Sequence, residues 1–273
     1  MTLGAEFIDY ALVDPFVAPM DQQPHFAEKL VHLPDCYQAN DSNREIAEPG
    51  PTRAECGLPA DGFVFACFNN SHKIAPPLFD IWMRVLHAVP GSVLWLLGDS
   101  PAVMENLRQE AASRAVSPDR LVFAGRCPQP VYLARFRCAD LFLDTLPYNA
   151  HTTASDALWA GLPVLTCLGR SFAARVAGSL LTAAGLPELV VSDLGEYEAL
   201  ALALARTPVR LAAIRRRLAE TRHRVPLFDA DRFRRHIEAA YEEMWRLSQL
   251  GEPPRSFALP GGEPPRSCAV PGG

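Results

Sequence analysis

From residue 62 onward, short uninterrupted apolar runs alternate with longer stretches of mixed character. Residues 63–68 (FVFACF), 92–97 (SVLWLL), 121–124 (LVFA), 141–144 (LFLD), 163–166 (PVLT) and 189–191 (LVV) are six such runs. A strand covered on both faces needs no polar alternation, so each run predicts a buried strand of a parallel sheet. Between them, residues 76–88, 102–115, 131–137, 152–160, 172–184 and a stretch ending at 205 predict helices, the first opened by Pro76. Regular alternation of strand and helix predicts an α/β fold with a doubly wound parallel sheet. Ligands of such sheets bind beyond the carboxyl ends of the strands. The loops after Phe68, Leu97, Ala124, Asp144 and Thr166 are therefore where chemistry belongs.

The flanks read differently. Before residue 60 there are too few elements for a separate core: a strand within 7–13, a short helix over 23–30, an extended piece at 31–33, then a polar, turn-rich stretch over 35–56. After the alternating region, residues 209–222 and 231–247 predict two helices. Their Arg215, Arg216, Arg217, Arg234 and Arg235 are interleaved with Glu220, Glu238, Glu242 and Glu243, which predicts a salt-bridged helix surface in preference to a nucleic-acid face. Residues 251–261 (GEPPRSFALPG) recur as 262–272 (GEPPRSCAVPG), a period of 11 so dense in Pro and Gly that a disordered tail is expected from 248 to 273. The domain plan is thus 1–58, 59–247 and 248–273.

Composition narrows the function classes. A net charge of −5 and a pI near 5.8 argue against a protein that coats nucleic acid. No run is long enough for a membrane span and the opening residues lack signal-peptide character, so no membrane partner and a cytoplasmic location are expected. Seven cysteines, scattered and never spaced C-x-x-C, point to small buried apolar residues and not to disulfides or zinc. No His or carboxylate cluster has metal-ligand spacing, and no metal is expected. The 26 basic side chains include only two lysines, Lys29 and Lys73. A lysine that persists in such an Arg-rich background stands out.

Two loops carry candidate chemistry. In residues 144–156 (DTLPYNAHTTASD) a strand ends at Asp144, a turn-prone loop follows and a helix starts at Thr152 and Thr153. A helix N-terminus presents unpaired N–H groups and partial positive charge, so it receives anions, and a diphosphate is the natural guest. His151 is placed to donate to a phosphate oxygen and Asp156, one turn on, to accept from ribose hydroxyls. Residues 68–74 (FNNSHKI) follow the first buried strand, on the same sheet edge, where Lys73 would neutralise a leaving diphosphate. On residue types alone, a plain helix cap at Thr152 or Thr153 and a surface lysine at 73 remain open alternatives. Neither G-x-G-x-x-G nor a P-loop signature is present.

Those two segments, with residues 92–97, 139–145 and 156–164 (DALWAGLPV), resemble the catalytic region of the O-linked N-acetylglucosamine transferase and SPINDLY family over residues 4–245. That family comprises GT-B glycosyltransferases that commonly carry tetratricopeptide repeats. The resemblance implies a C-terminal nucleotide-sugar-binding domain with an incomplete N-terminal domain in residues 1–58. It implies transfer of a sugar from a nucleotide donor, UDP-N-acetylglucosamine above GDP-fucose or UDP-glucose, to Ser or Thr of a protein acceptor, without a cofactor or metal. Lys73 would stabilise the leaving nucleotide with Asn70 beside it. Thr152, Thr153 and His151 would meet the phosphates and Asp156 the ribose. Gln129, Tyr132 and Arg135 would surround the nucleoside, and Tyr148 would lie near the donor sugar. The family's catalytic-histidine region has no counterpart in the sequence, so the expectation is a truncated chain that binds nucleotide and transfers little sugar. The alternative is a non-catalytic nucleotide-binding or interaction remnant.

Overall fold

The computed structural model describes residues 2–261. It opens with β1 (Tyr10–Val13), a 3-10 turn at Met20–His25 and β2 (Lys29–His32), which pairs in parallel with β1, Tyr10 opposite Lys29. The helix expected over 23–30 is corrected: only one turn forms, Pro24 lies inside it, and Lys29 and Leu30 go to the strand. The Gln23 side chain helps to end the turn by accepting from Leu30 N at 2.9 Å and donating to the Glu28 carbonyl at 2.8 Å.

The alternating region then folds as the apolar runs require. The sequence of elements is β3 (Val64–Cys67), α1 (Pro76–Ala88), β4 (Val93–Leu97), α2 (Pro101–Ser113), β5 (Leu121–Ala124) and α3 (Gln129–Arg135). It continues with β6 (Leu141–Leu143), α4 (Thr152–Trp159), β7 (Val164–Cys167), α5 (Val176–Ala183), β8 (Val190–Val191) and α6 (Leu194–Arg206). All six strands are parallel in the order β5-β4-β3-β6-β7-β8. The chain winds outward from β3 in one direction and returns to start again beside it at β6, so the switch point lies between β3 and β6. Every residue of β3 is fully buried, which explains its lack of polar alternation.

Two helices, α7 (Pro208–Thr221) and α8 (Ala230–Gln249), close the chain, and α8 packs Phe233, Ile237, Ala240 and Met244 onto the small sheet around Val31 and Leu33. Of the arginines singled out, Arg234 pairs with Asp231 and Glu238, Arg235 with Asp231, Arg217 with Glu188 and Arg215 with Asp140, whereas Arg216 makes no ion pair among the described residues. The tail is a second correction. The first repeat copy lies along the small sheet, where β9 (Phe257–Ala258) pairs in parallel with β2. Its prolines, Pro253, Pro254 and Pro260, flank the paired residues, so an edge strand forms without a missing donor. The disorder expected over 262–273 falls outside the described residues.

Residues before 58 are not set apart from the main core. Val13, Val17, Leu30, Cys36 and Leu58 join the apolar cluster that surrounds the large sheet. Buried Asp14 ties this segment down, accepting from Val17 N at 2.8 Å, Tyr37 N at 2.9 Å and the Ser179 hydroxyl of α5 at 2.7 Å.

Candidate functional site

The site is assembled at the switch point by two loops. Asp144, the residue after β6, is wholly buried and accepts from Thr166 Oγ1 at 2.6 Å, Ala150 N at 2.6 Å, Thr145 N at 2.7 Å and Asn69 Nδ2 at 3.3 Å. One carboxyl thereby joins the ends of β3, β6 and β7 and folds residues 145–150 into a fixed loop. Burial pushes this carboxyl up to about 7 against those hydrogen bonds. Thr145 Oγ1 donates to the Tyr148 carbonyl at 2.6 Å and Asn149 Nδ2 to the Thr145 carbonyl at 2.8 Å, which completes the turn.

Lys73 enters from the β3 side on a 3-10 turn at Ser71–Lys73. Its ammonium donates to the Asn149 carbonyl at 3.0 Å and lies 4.0 Å from the centre of the Tyr148 ring, on which His151 is also stacked at 5.0 Å. Burial holds the Lys73 ammonium below its ordinary range, opposed by Asp144. His151 is also shifted down, by burial first. Its Nε2 faces the Ala173 carbonyl at 3.4 Å, so Nδ1 is the nitrogen left for a ligand. His151 is the N-cap of α4 but makes no side-chain cap, so the Thr152 and Thr153 N–H groups of the first turn have no acceptor within the helix. His72, one residue from the cation, points to solvent.

The nucleoside candidates gather in two adjoining hollows. Asn70, Tyr132 and Arg135 line a cavity of about 310 Å³ together with Phe68, Leu97 and Gly125. Gln129, His151, Thr152 and Asp156 line a second, of about 430 Å³, with Tyr37 and Arg44. Tyr132 packs against Phe68 and Phe136 at ring distances of 6.2 and 5.1 Å. Arg135 is spent on structure: its Nη1 donates to the Gly125 carbonyl at 2.7 Å and its Nη2 to Cys127 Sγ at 2.6 Å, which braces the loop after β5. Tyr148 is exposed and adjoins a third, apolar cavity of about 530 Å³ shared with Phe26, Arg170 and Phe172.

One residue of the site has no motif. Arg44, from the turn-rich stretch before β3, forms an ion pair with Asp156 at 2.5 Å. Burial pushes the Asp156 carboxyl up to about 6, with Arg44 and the Tyr132 hydroxyl pulling the other way. Among the described residues no group of His, Cys, Asp or Glu is arranged to hold a metal ion. None of their helices is long and apolar enough to cross a membrane.

A parallel sheet wound out from a central switch point is the architecture of the C-terminal half of a GT-B glycosyltransferase. The same fold occurs in sucrose-phosphate synthase from Thermosynechococcus elongatus, with a TM-score of 0.59 over 87% of this chain at 18% identity. Residues 44–237 match glycosyl transferase family 41, and the chain belongs to that family. It is 40% identical over 94% of its length to a probable UDP-N-acetylglucosamine–peptide N-acetylglucosaminyltransferase, SEC, of Arabidopsis thaliana, and 33% identical over 93% to a SPINDLY protein of rice. In each case it spans 27% of the relative's own length. A mutant O-GlcNAc transferase of Thermobaculum terrenum superposes with a TM-score of 0.82 at 34% identity, covering 92% of this chain and 47% of that one.

Proposed function

We propose that this chain binds a nucleotide-sugar donor, UDP-N-acetylglucosamine first among candidates, for transfer of the sugar to Ser or Thr hydroxyls of a protein acceptor. The observation that carries the reading is the convergence of Lys73 and the open N-terminus of α4 on one edge of the sheet. In the transfer, the acceptor oxygen forms a bond to the anomeric carbon, the bond from that carbon to the diphosphate oxygen breaks, and the hydroxyl proton is lost. Negative charge grows on the departing diphosphate. Lys73 and the Thr152 and Thr153 N–H groups meet that charge, so stabilisation is greatest when the bond is broken and no metal ion is required. Asp156 accepts from the ribose, while Tyr132, Gln129, Asn70 and the loop braced by Arg135 shape the base pocket. The relatives' names support both the donor and the peptide acceptor. Six free thiols in the described chain fit a reducing compartment, and the cytoplasm is the location proposed.

Titration calorimetry of UDP and GDP tests the binding. One of them should bind, and Lys73→Ala should weaken it about 10- to 100-fold, the range for a hydrogen bond to a charged group. Binding of neither, or binding indifferent to Lys73→Ala, overturns the reading.

A further inference from the structure

Two arginines away from the candidate site, Arg53 and Arg120, spend their donors on the fold. Arg53 donates to the Cys138 and Gly62 carbonyls and to Asp140, and Arg120 to the Ser92, Leu86 and Val89 carbonyls. Arg44 is different. Its Nε donates to the Asp41 carbonyl at 3.0 Å and its Nη1 to Asp156, but its buried Nη2 has no acceptor among the described residues. The guanidinium lies 5.4 Å from the Trp159 ring centre and 5.9 Å from that of Phe228, and Trp159 Nε1 returns a hydrogen bond to the Arg44 carbonyl at 3.1 Å. Two aromatic rings and two hydrogen bonds therefore fix a cation that forms its ion pair with Asp156, at the cost of an unsatisfied donor. Both Arg44 and Asp156 line the same hollow as Thr152 and Gln129.

We infer that Arg44 is a positioning residue for ribose recognition: it holds the Asp156 carboxylate ionised and aimed, so that a nucleotide's sugar hydroxyls meet an anionic acceptor. This rests on the reading of Asp156 given above. A carboxylate presents about four lone-pair sites, so one oxygen taken by Arg44 leaves acceptor capacity for ribose. Other groups that face Asp156 are the Tyr132 hydroxyl from α3 and His151 at the start of α4, and Asp41 faces Arg44 from the same segment. Removing the guanidinium leaves burial to dominate, and Asp156 would then take up a proton at a higher pH.

The measurement is a ratio. UDP-N-acetylglucosamine and its 2′-deoxy and 3′-deoxy analogues are titrated into the full chain between pH 5 and 8, with the GDP series used if GDP is the nucleotide bound. These diphosphates are esterified at both ends and do not titrate in that range, and dividing one affinity by the other cancels the His151 and phosphate contributions. The unaltered chain should prefer the ribonucleotide by about tenfold or more at neutral pH, losing the preference as pH falls below that of Asp156 ionisation. In Arg44→Gln the preference should fall to within about threefold at pH 7 and its midpoint should move to higher pH, while Arg44→Lys should restore much of both. Deoxy analogues that bind the unaltered chain as well as the parent sink the role of Asp156 itself. A preference and midpoint unchanged in a folded Arg44→Gln chain overturn the inference while leaving Asp156 in place. Should Arg44→Gln fail to fold, Arg44→Lys carries the test: a folded Lys variant with no trace of the preference at any pH would show that the aromatic packing, and not the charge, was the function.

Discussion

At the residue scale, two buried carboxyls set how the protein responds to pH. Asp144 is raised from 3.8 to about 7 and Asp156 from 3.8 to about 6, both mainly by burial. A raised carboxyl means that the folded chain holds a proton the unfolded chain has released. The stability it contributes is complete below the unfolded value and is lost as pH rises through the folded one. His151 and His236, both shifted down, have the opposite sign, and their contributions are lost as pH falls below the unfolded value of 6.5. Between about pH 6.5 and 8 the Asp144 contribution is therefore read as a difference between variants. The melting temperature of the unaltered protein, taken relative to that of Asp144→Asn, should fall as pH rises through that window. A difference that does not change with pH would show that the four hydrogen bonds to Asp144 outweigh its burial. This scale also shows what the sequence could and could not reveal about the site. Lys73 was visible because lysine is scarce here, and the Thr152–Thr153 pair because a strand, a loop and a helix start frame it. Arg44 was not, being one of many arginines in a turn-rich stretch with no periodicity. Its partner lies 112 residues away, a separation that only the fold closes.

At the element scale, the strands legible in the sequence were those whose surroundings are uniform. A continuous apolar run predicts cover on both faces, which β3, β6 and β7 have in full and the edge strands β5 and β8 only in part, yet all six strands could be placed without knowing the neighbours. β2 depends instead on its two neighbours β1 and β9, and β9 on β2 alone, and the Pro-rich context of β9 hides a strand only two residues long. The packing of the first residues onto α5 was likewise invisible. Gly178 lets Phe16 approach so closely that a Cβ there would fall within 3.0 Å of both the Phe16 ring and Leu168 Cδ2. Phe16 is also held by Arg175, whose guanidinium lies 5.3 Å from its ring and whose Nε donates to its carbonyl at 2.6 Å. Gly178→Ala gains helix propensity of about 1 kcal/mol but overpacks this contact at a cost of about 1–3 kcal/mol. The net expectation is a loss of about 1 kcal/mol, or about 2–4 °C in melting temperature. Phe16→Leu should remove the larger part of the clash, leaving only the end of the Leu168 side chain to shift, so that Gly178→Ala costs less when added to it than on its own. If the two substitutions simply add, Phe16 does not press on α5.

At the scale of the whole molecule, the two sheets share one structural fate. Val13, Leu30 and Cys36 lie in the same apolar cluster as the strands of the large sheet, and Asp14 is hydrogen-bonded to Ser179 of α5. No boundary at residue 58 interrupts that cluster, because Leu58 belongs to it. Unfolding should therefore be a single cooperative transition, even though the sequence read as a remnant joined to a domain. The candidate site lies between the ends of β3 and β6, which Asp144 ties to β7, so binding there should stabilise the whole transition and not a local segment. At a hundredfold excess over its dissociation constant a nucleotide adds about 2.7 kcal/mol. At about 2–4 °C per kcal/mol, that raises the melting temperature by about 5–10 °C. Calorimetric scans with and without UDP or GDP test both statements at once, since a shared core requires one peak that moves as a unit. Two peaks, of which the nucleotide moves only one, would place a boundary inside the chain where the packing shows none. In Lys73→Ala, with binding weakened about 10- to 100-fold, the same nucleotide concentration should give a shift reduced by about 1.3–2.3 kcal/mol equivalent, leaving the ligand-free peak close to that of the unaltered protein.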